Sequence, residues 1–207
     1  MAAEEKLGTG ERLQSEPRNL QKILQVTTEL LERDGFKKIS IEAIAASAGV
    51  SKVTLYRWWP NKSALVMHAF LTTMMPIVPP PDTGSVRDDL RQHLSQIATV
   101  YRGHTGSVIA ALIAEAQFDA DLALAFRASF LKLRQEPIEQ ILKHGIRRGE
   151  LRSDIDMQIT LDTLYAPIDS RLLLASASLD EYFIFTLIDQ VLNGISSNKR
   201  PVNLHKV

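Results

Sequence analysis

From Leu20 to Leu192 apolar residues return every third or fourth position and nowhere alternate over a useful length, so this chain is written for helices and not for strands. Glycine and proline cut that text into segments. Pro17 suits a first helical position, with Ser15 or Glu16 as its cap, and Leu20, Ile23, Leu24, Thr27, Leu30 and Leu31 share one face up to Gly35. Gly35 is expected to close this helix in a left-handed conformation, with Phe36 folding back onto the apolar face. Ser40 stands where a second N-cap belongs, ahead of Ile41, Ile44, Ala45 and Ala48. Gly49 ends that short helix, Val50 plugs the turn, and Ser51 caps a third helix from Lys52 to about Trp58, which Pro60 terminates. Asn61 caps a fourth, carrying Leu65, Val66, Phe70 and Leu71.

Pro76, the Pro79-Pro80-Pro81 run and Asp82-Thr83-Gly84 cannot continue a helix and read as a boundary. Beyond them Ser85-Val86-Arg87-Asp88 resembles a capping box and opens a helix with Leu90, Leu94, Ile97 and Tyr101, interrupted by Gly103 and Gly106. Helices are then expected from about Ser107 to Gln117, Ala120 to Arg148, Asp154 to Ala177 and Asp180 to Ile195, with Pro137 bending or dividing the second of these. The sum is all-α, with about nine helices and no repeat at a fixed period. Residues 1–15 read as a flexible arm and 198–207, with Pro201, as a polar tail.

Composition narrows what such a chain does. At 207 residues, 45% hydrophobic and 23% charged, it is long enough to bury a real core. With no cysteine it holds no disulfide, Cys zinc site, iron–sulfur cluster or thiol nucleophile, which fits a reducing cytoplasm. The first twenty residues lack the layout of a signal peptide, and nothing approaches eighteen uncharged apolar residues, so a cytoplasmic protein without a membrane partner is expected. Lys plus Arg equal Asp plus Glu at 24 each, so a nucleic acid would have to be held by a local patch. One exists: between Arg33 and Lys62 six basic residues face only Asp34 and Glu42. It coincides with a short helix, a tight Gly49 turn and a third helix with polar residues at its start, the layout of a helix-turn-helix. Hydroxyls at Ser40, Ser51 and Thr54 and the rings of Tyr56 and Trp58 are suitable phosphate partners, although a solvated basic face would carry the same charge. Leu55, Ile44, Val50 and Trp59 read as core, and Glu42 as a helix N-terminal charge.

Phe36 with Gly35, then Ile44-Ala45, Ala48-Gly49-Val50-Ser51, Thr54-Leu55-Tyr56, Pro60-Asn61-Lys62 and Ala64-Leu65, closely resemble the N-terminal DNA-binding domain of the TetR family of transcriptional regulators, over about residues 17–65. The resemblance implies an Ω-shaped homodimer. Each all-helical subunit would have a helix-turn-helix head at 16–62, a connecting helix and proline-rich linker at 63–84, and a larger domain at 85–197 that binds a small effector and dimerises. Carried over by position, it makes Lys52, Val53, Thr54 and Arg57 the base-contacting residues, with Thr54 and Arg57 also open to phosphate. Ser40, Ser51, Tyr56, Trp58 and Lys62 would grip the backbone. Arg127 to Glu136, Gly149-Glu150-Leu151 with Asp154 and Asp156, and Pro167 to Leu173 look like a recurrent C-terminal subtype, which names no effector.

For a cavity with apolar walls and a few polar groups, the expected lining is Leu94, Ile97, Tyr101, Leu112, Gln117, Phe126, Phe130 and Tyr165. Gln117, Asp169 and Arg171 could orient a ligand, although surface or interface ion pairs are the expected role of the last two, and Pro167 is expected as a kink or a feature of the cavity wall. The last two helices carry more apolar surface than one core-facing stripe needs. A dimer interface is therefore expected from Ile159, Leu164, Ile168, Leu172, Phe183, Leu187, Ile188 and Val191. No Walker A sequence, His-Glu-x-x-His or nucleophile elbow occurs, and His68, His93, His104, His144 and His205 lack zinc-ligand spacing. The reading is a regulator with no cofactor and no metal, released from a palindromic operator by an apolar effector. Its alternative is a helical ligand-binding or interaction protein without sequence-specific DNA binding.

Overall fold

The computed structural model describes residues 19–75 and 78–195. The arm, Ser15, Glu16, Pro17, Pro76, His205 and the tail with Pro201 lie outside these residues. The helices are α1 Leu20–Lys38, α2 Ile41–Ala48, α3 Lys52–Trp58, α4 Lys62–Thr73, α5 Val86–Arg102, α6 His104–Ala116, α7 Ala120–Ala125, α8 Lys132–Arg147, α9 Met157–Leu174 and α10 Glu181–Ile195. A π-helical turn, Phe126–Leu131, joins α7 to α8 without a break, so the described residues form nine rods, the first of them kinked at Gly35.

Local chemistry sets the rod ends. Ser40, Ser51, Asn61 and Ser85 each accept the amide three residues on, from Ala43, Thr54, Ala64 and Asp88. The capping box at Ser85 is incomplete, because the Ser85 amide donates to Thr83 Oγ1 at 3.3 Å instead of to Asp88. Gly49 takes φ 71° and ψ 37°, the left-handed position that ends α2 and lets Val50 donate back to the Ala45 carbonyl at 3.0 Å. Gly106, expected to interrupt a helix, lies inside α6: a Cβ there would stand 1.9 Å from the Tyr101 carbonyl oxygen, so only glycine lets α6 start this close to the end of α5. Neither Pro137 nor Pro167 ends its helix; α8 and α9 run through them.

Ile23, Ile44, Leu55 and Leu65 form the buried centre of the first three helices with the start of α4, and Leu90, Leu94, Ile109, Leu122, Ile138 and Leu142 that of the later ones. The two meet through α4, whose buried Phe70 lies 6.1 Å from the Phe130 ring. Burying a side chain of this size contributes about 1.5 to 3 kcal/mol, so α4 is held from both sides by more than any single surface bond supplies. Polar ties add direction. Thr28 Oγ1 and Thr73 Oγ1 stand 2.6 Å apart between α1 and α4, and Lys37 and His104 reach Glu115 and Glu32 between α1 and α6 at 3.7 and 3.2 Å. None of the described helices is long and apolar enough to cross a membrane.

Candidate nucleic-acid interface

In α3 one face anchors and the opposite face is free. Leu55 is fully buried, while Lys52, Tyr56 and Arg57 are exposed and Val53 is 78% exposed. Its isopropyl group is left in water, available for apolar contact on this face. Thr54 is half-buried, its Oγ1 lying 2.9 Å from the capping Ser51 Oγ. The helix is oriented by Leu55 beneath it and by the next residue but three, Trp59, which is buried and donates its indole N–H to His68 Nδ1 at 3.0 Å. Trp58 is half-buried against the core and Ser40 is half-buried at the start of α2.

Two partnerships modify the expected site. Lys52 Nζ lies 3.1 Å from Glu42 Oε1, an exposed pair across the turn; Glu42 is held below its usual pKa first by its own backbone amide at the start of α2 and then by Lys52. Lys62, expected at a phosphate, is half-buried instead: its ammonium donates to the Phe36 carbonyl at 3.0 Å and lies 4.0 Å above the Phe36 ring. The break at Gly35, φ 75° and ψ 162°, turns that carbonyl away from the α1 ladder and leaves it for a distant donor. Spacing along the sequence shows neither partnership, since both join residues 10 or 26 apart.

The later helices hold cavities whose linings overlap the expected one only in part. A cavity of about 210 Å³ is lined by Met75, Pro79, His93, Ile97, Arg134 and Pro137, among others. A second, of about 400 Å³, is lined by Gln117, Phe126, Arg127, Arg134, Asp169 and Leu173, among others. Of the expected lining, Ile97, Gln117 and Phe126 face these two, and Tyr101 faces a shallow groove beside Leu179. Leu94, Leu112 and Phe130 are instead sealed packing, and Tyr165 is buried with its hydroxyl donating to the Arg134 carbonyl. Arg134, Asp169 and His93 are the polar residues that sequence reasoning missed or misassigned. Arg134 donates twice to Asp169, at 2.7 Å to each carboxylate oxygen, with the Tyr165 ring 4.3 Å from its guanidinium carbon. Burial opposes the arginine's charge, but the bonds to Asp169 and the nearby Tyr101 outweigh it and hold its pKa above the ordinary value. Arg171 borders the shallow groove, stacks 3.5 Å from the Phe183 ring centre and donates to the Ser178 carbonyl.

The expected interface also needs correction. Leu164, Ile168 and Ile188 are fully buried and Leu187 nearly so, which leaves them no surface for a second subunit. Ile159 is exposed, and Leu172, Phe183 and Val191 are half-buried. The exposed apolar residues of this end include Leu173, Leu174 and Tyr182, which the helical stripe did not single out. Among the described residues no cluster of His, Asp and Glu could hold a metal ion.

Comparison with known proteins agrees with the geometry. Residues 23–69 match the family described as bacterial regulatory proteins, tetR family, and residues 80–191 match the tetracyclin repressor-like C-terminal domain. The HTH-type transcriptional regulator YdeS of Bacillus subtilis is 35% identical over 175 residues, 84% of this chain and 88% of that protein. The DNA-binding transcriptional repressor TetR of Mycobacteroides abscessus is 31% identical over 177 residues, 82% of this chain and 90% of that one. Among solved structures, the TetR family transcription regulator SCO0332 superposes with a TM-score of 0.72 at 34% identity, covering 86% of this chain and 99% of its own.

Proposed function

This chain belongs to the TetR family of DNA-binding transcriptional regulators, and from that premise we propose that it acts as a homodimeric repressor released from a palindromic operator by a small, largely apolar effector. The observation that carries this reading is the free face of α3, where Lys52, Val53 and Arg57 are exposed around a buried Leu55. Lys52 and Arg57 offer donors to guanine, and Val53 and the Thr54 methyl offer apolar contact to thymine. Ser40, Ser51, Tyr56, Trp58 and Lys62 position the head on the phosphates; the hydroxyls of the two serines can donate outward while their oxygens still accept the capping amides. Lys62 does so with the ammonium protons it does not spend on Phe36.

The proposed division is a reading head at 16–62, a connecting helix and linker at 63–84 and an effector and dimerisation domain at 85–197. The exposed Ile159, Leu173, Leu174 and Tyr182 on and between α9 and α10 support pairing of two subunits there, isologously. Two heads at a fixed span then meet successive major grooves, about 34 Å apart, which calls for a roughly palindromic operator. Repression is supported by the related M. abscessus repressor. The effector works only through a difference in its affinity for the DNA-competent and released forms. Helix α6 gives a physical route for this, since it borders the cavity of about 400 Å³ through Ile113 and Ala116 and touches α1 through His104 and Glu115.

A titration by fluorescence anisotropy with DNA from upstream of the gene tests the reading. Specific binding that weakens steeply with salt, together with a dimer in sedimentation at micromolar concentration, is the expected result. Salt-independent or absent binding to every fragment, or a monomer, would overturn it.

A further inference from the structure

Three nitrogens at the smaller cavity have no hydrogen-bond partner among the described residues: His93 Nδ1, His93 Nε2 and Arg134 Nε. His93 is 1% exposed. Buried polar atoms in folded proteins are almost always paired, so two orphaned nitrogens on one ring that lines a cavity point to a polar group brought from outside. The walls around them are apolar, with Met75, Pro79, Ile97 and Pro137 among them.

The protonation state narrows the ligand. Burial pushes His93 down to about 4, so the ring is neutral near pH 7 and offers one N–H and one bare nitrogen. The Arg134 charge is already balanced by Asp169, which leaves Nε–H as a donor and removes the call for an anion. The bare ring nitrogen needs a donor and the N–H groups need an acceptor. A hydroxyl can meet whichever ring nitrogen it reaches, accepting from the N–H or donating to the bare nitrogen. An empty apolar cavity of about 150 Å³ takes up benzene, so about 210 Å³ suits one substituted ring or a chain of similar bulk.

We infer that the cavity lined by His93 and Ile97 of α5, Pro137 of α8, and Met75 and Pro79 is a binding site for a small neutral alcohol or phenol, with His93 holding its hydroxyl inside apolar walls. This rests on the reading that an effector enters the C-terminal helices, and it names the chemical class that effector has.

Calorimetric titration of the full chain with phenol and with toluene tests it. The wild type is expected to bind phenol about tenfold or more tighter than toluene, because the hydroxyl satisfies groups that toluene leaves unpaired. His93→Leu should lower that ratio to near one while retaining toluene binding, and His93→Gln, which keeps a donor and an acceptor, should preserve part of it. Equal binding of the two probes by the wild type, no binding of either, or an undiminished preference in His93→Leu would overturn the site. If His93→Leu does not fold, the wild-type ratio and His93→Gln decide, with a wild-type preference below about threefold counting against the site. Adding phenol to the DNA complex separates the two ideas: discrimination without DNA release supports the site and removes the effector reading, whereas DNA release by another compound with no discrimination does the reverse.

Discussion

Glu42 at the start of α2 and Lys52 at the start of α3 form an ion pair of 3.1 Å across the Gly49 turn, so the first basic residue of the proposed reading face is partnered inside its own subunit. Both side chains are exposed, and a pair of that kind contributes little to stability. In the proposed DNA complex the carboxylate would repel nearby phosphate and compete for the lysine. Glu42→Gln should therefore tighten binding to all sequences severalfold while leaving thermal stability within about 0.5 kcal/mol. Anisotropy titrations at several salt concentrations measure it; unchanged or weaker binding would remove Glu42 from the interface.

Lys62 bonds the Phe36 carbonyl and is proposed to hold a phosphate as well, two roles that substitution can separate. Lys62→Ala removes both the bond to the Phe36 carbonyl and a phosphate donor, so it should lower stability by about 1 kcal/mol and weaken cognate and random DNA alike. Lys62→Gln keeps a donor for the carbonyl without the charge, and should recover stability while binding stays weak. Lys52→Ala is the contrast: its loss, about 1 to 3 kcal/mol for a bidentate base contact, should fall on particular base positions. Equal losses on cognate and random DNA for Lys52→Ala and Lys62→Ala would show that the two lysines do not divide the work as proposed.

The head was legible because its signals are local. Ser40, Ser51 and Asn61 each satisfy an amide three residues away, and Gly49 needs only its own φ, so spacing alone carries the turn and the helix starts. Interhelical polar chemistry has no such signature. Asp169 was expected at a surface or interface, yet it meets Arg134, 35 residues earlier, because α8 and α9 cross there. The apolar stripe of α9 misled for a related reason. Its apolar residues are spread round the helix among Gln158, Asp162, Asp169 and Arg171 and not gathered on one face, so only the packing of neighbouring helices decides that Leu164 and Ile168 face inward while Ile159 and Leu174 face out.

Asp169→Ala leaves the Arg134 guanidinium without its carboxylate, with the arginine side chain only 8% exposed. Removing one partner of a buried pair costs about 3 to 5 kcal/mol, and the 23% exposure of Asp169 puts the expected loss near the low end. Replacing both, as Arg134→Met with Asp169→Leu, should recover most of it because no charge is then stranded. Urea denaturation of the two variants makes the comparison. A double variant no more stable than Asp169→Ala would mean that Arg134 stabilises through its bond with Tyr101 or the rings around it, not through the ion pair.

His93 ties stability to pH with a sign fixed by its surroundings. Burial lowers its pKa from 6.5 to about 4 in the folded chain, so between those values the unfolded chain binds the proton more readily than the folded one. Stability from this group is then present in full above about pH 6.5 and is lost as pH falls towards 4, with a slope approaching about 1.4 kcal/mol per pH unit inside that window. Carboxylates paired in the folded state lose stability in the same direction, but Glu42 and Asp180 have lowered pKa values and act below the ordinary carboxylate range. The window between pH 5 and 6.5 is therefore where His93 should dominate. Chemical denaturation at half-unit steps should give a stability that rises with pH there in the wild type and a visibly flatter line in His93→Gln, which cannot take up the proton. Parallel lines for the two proteins across that window would mean that the imidazole is as easily protonated folded as unfolded, and that water reaches it.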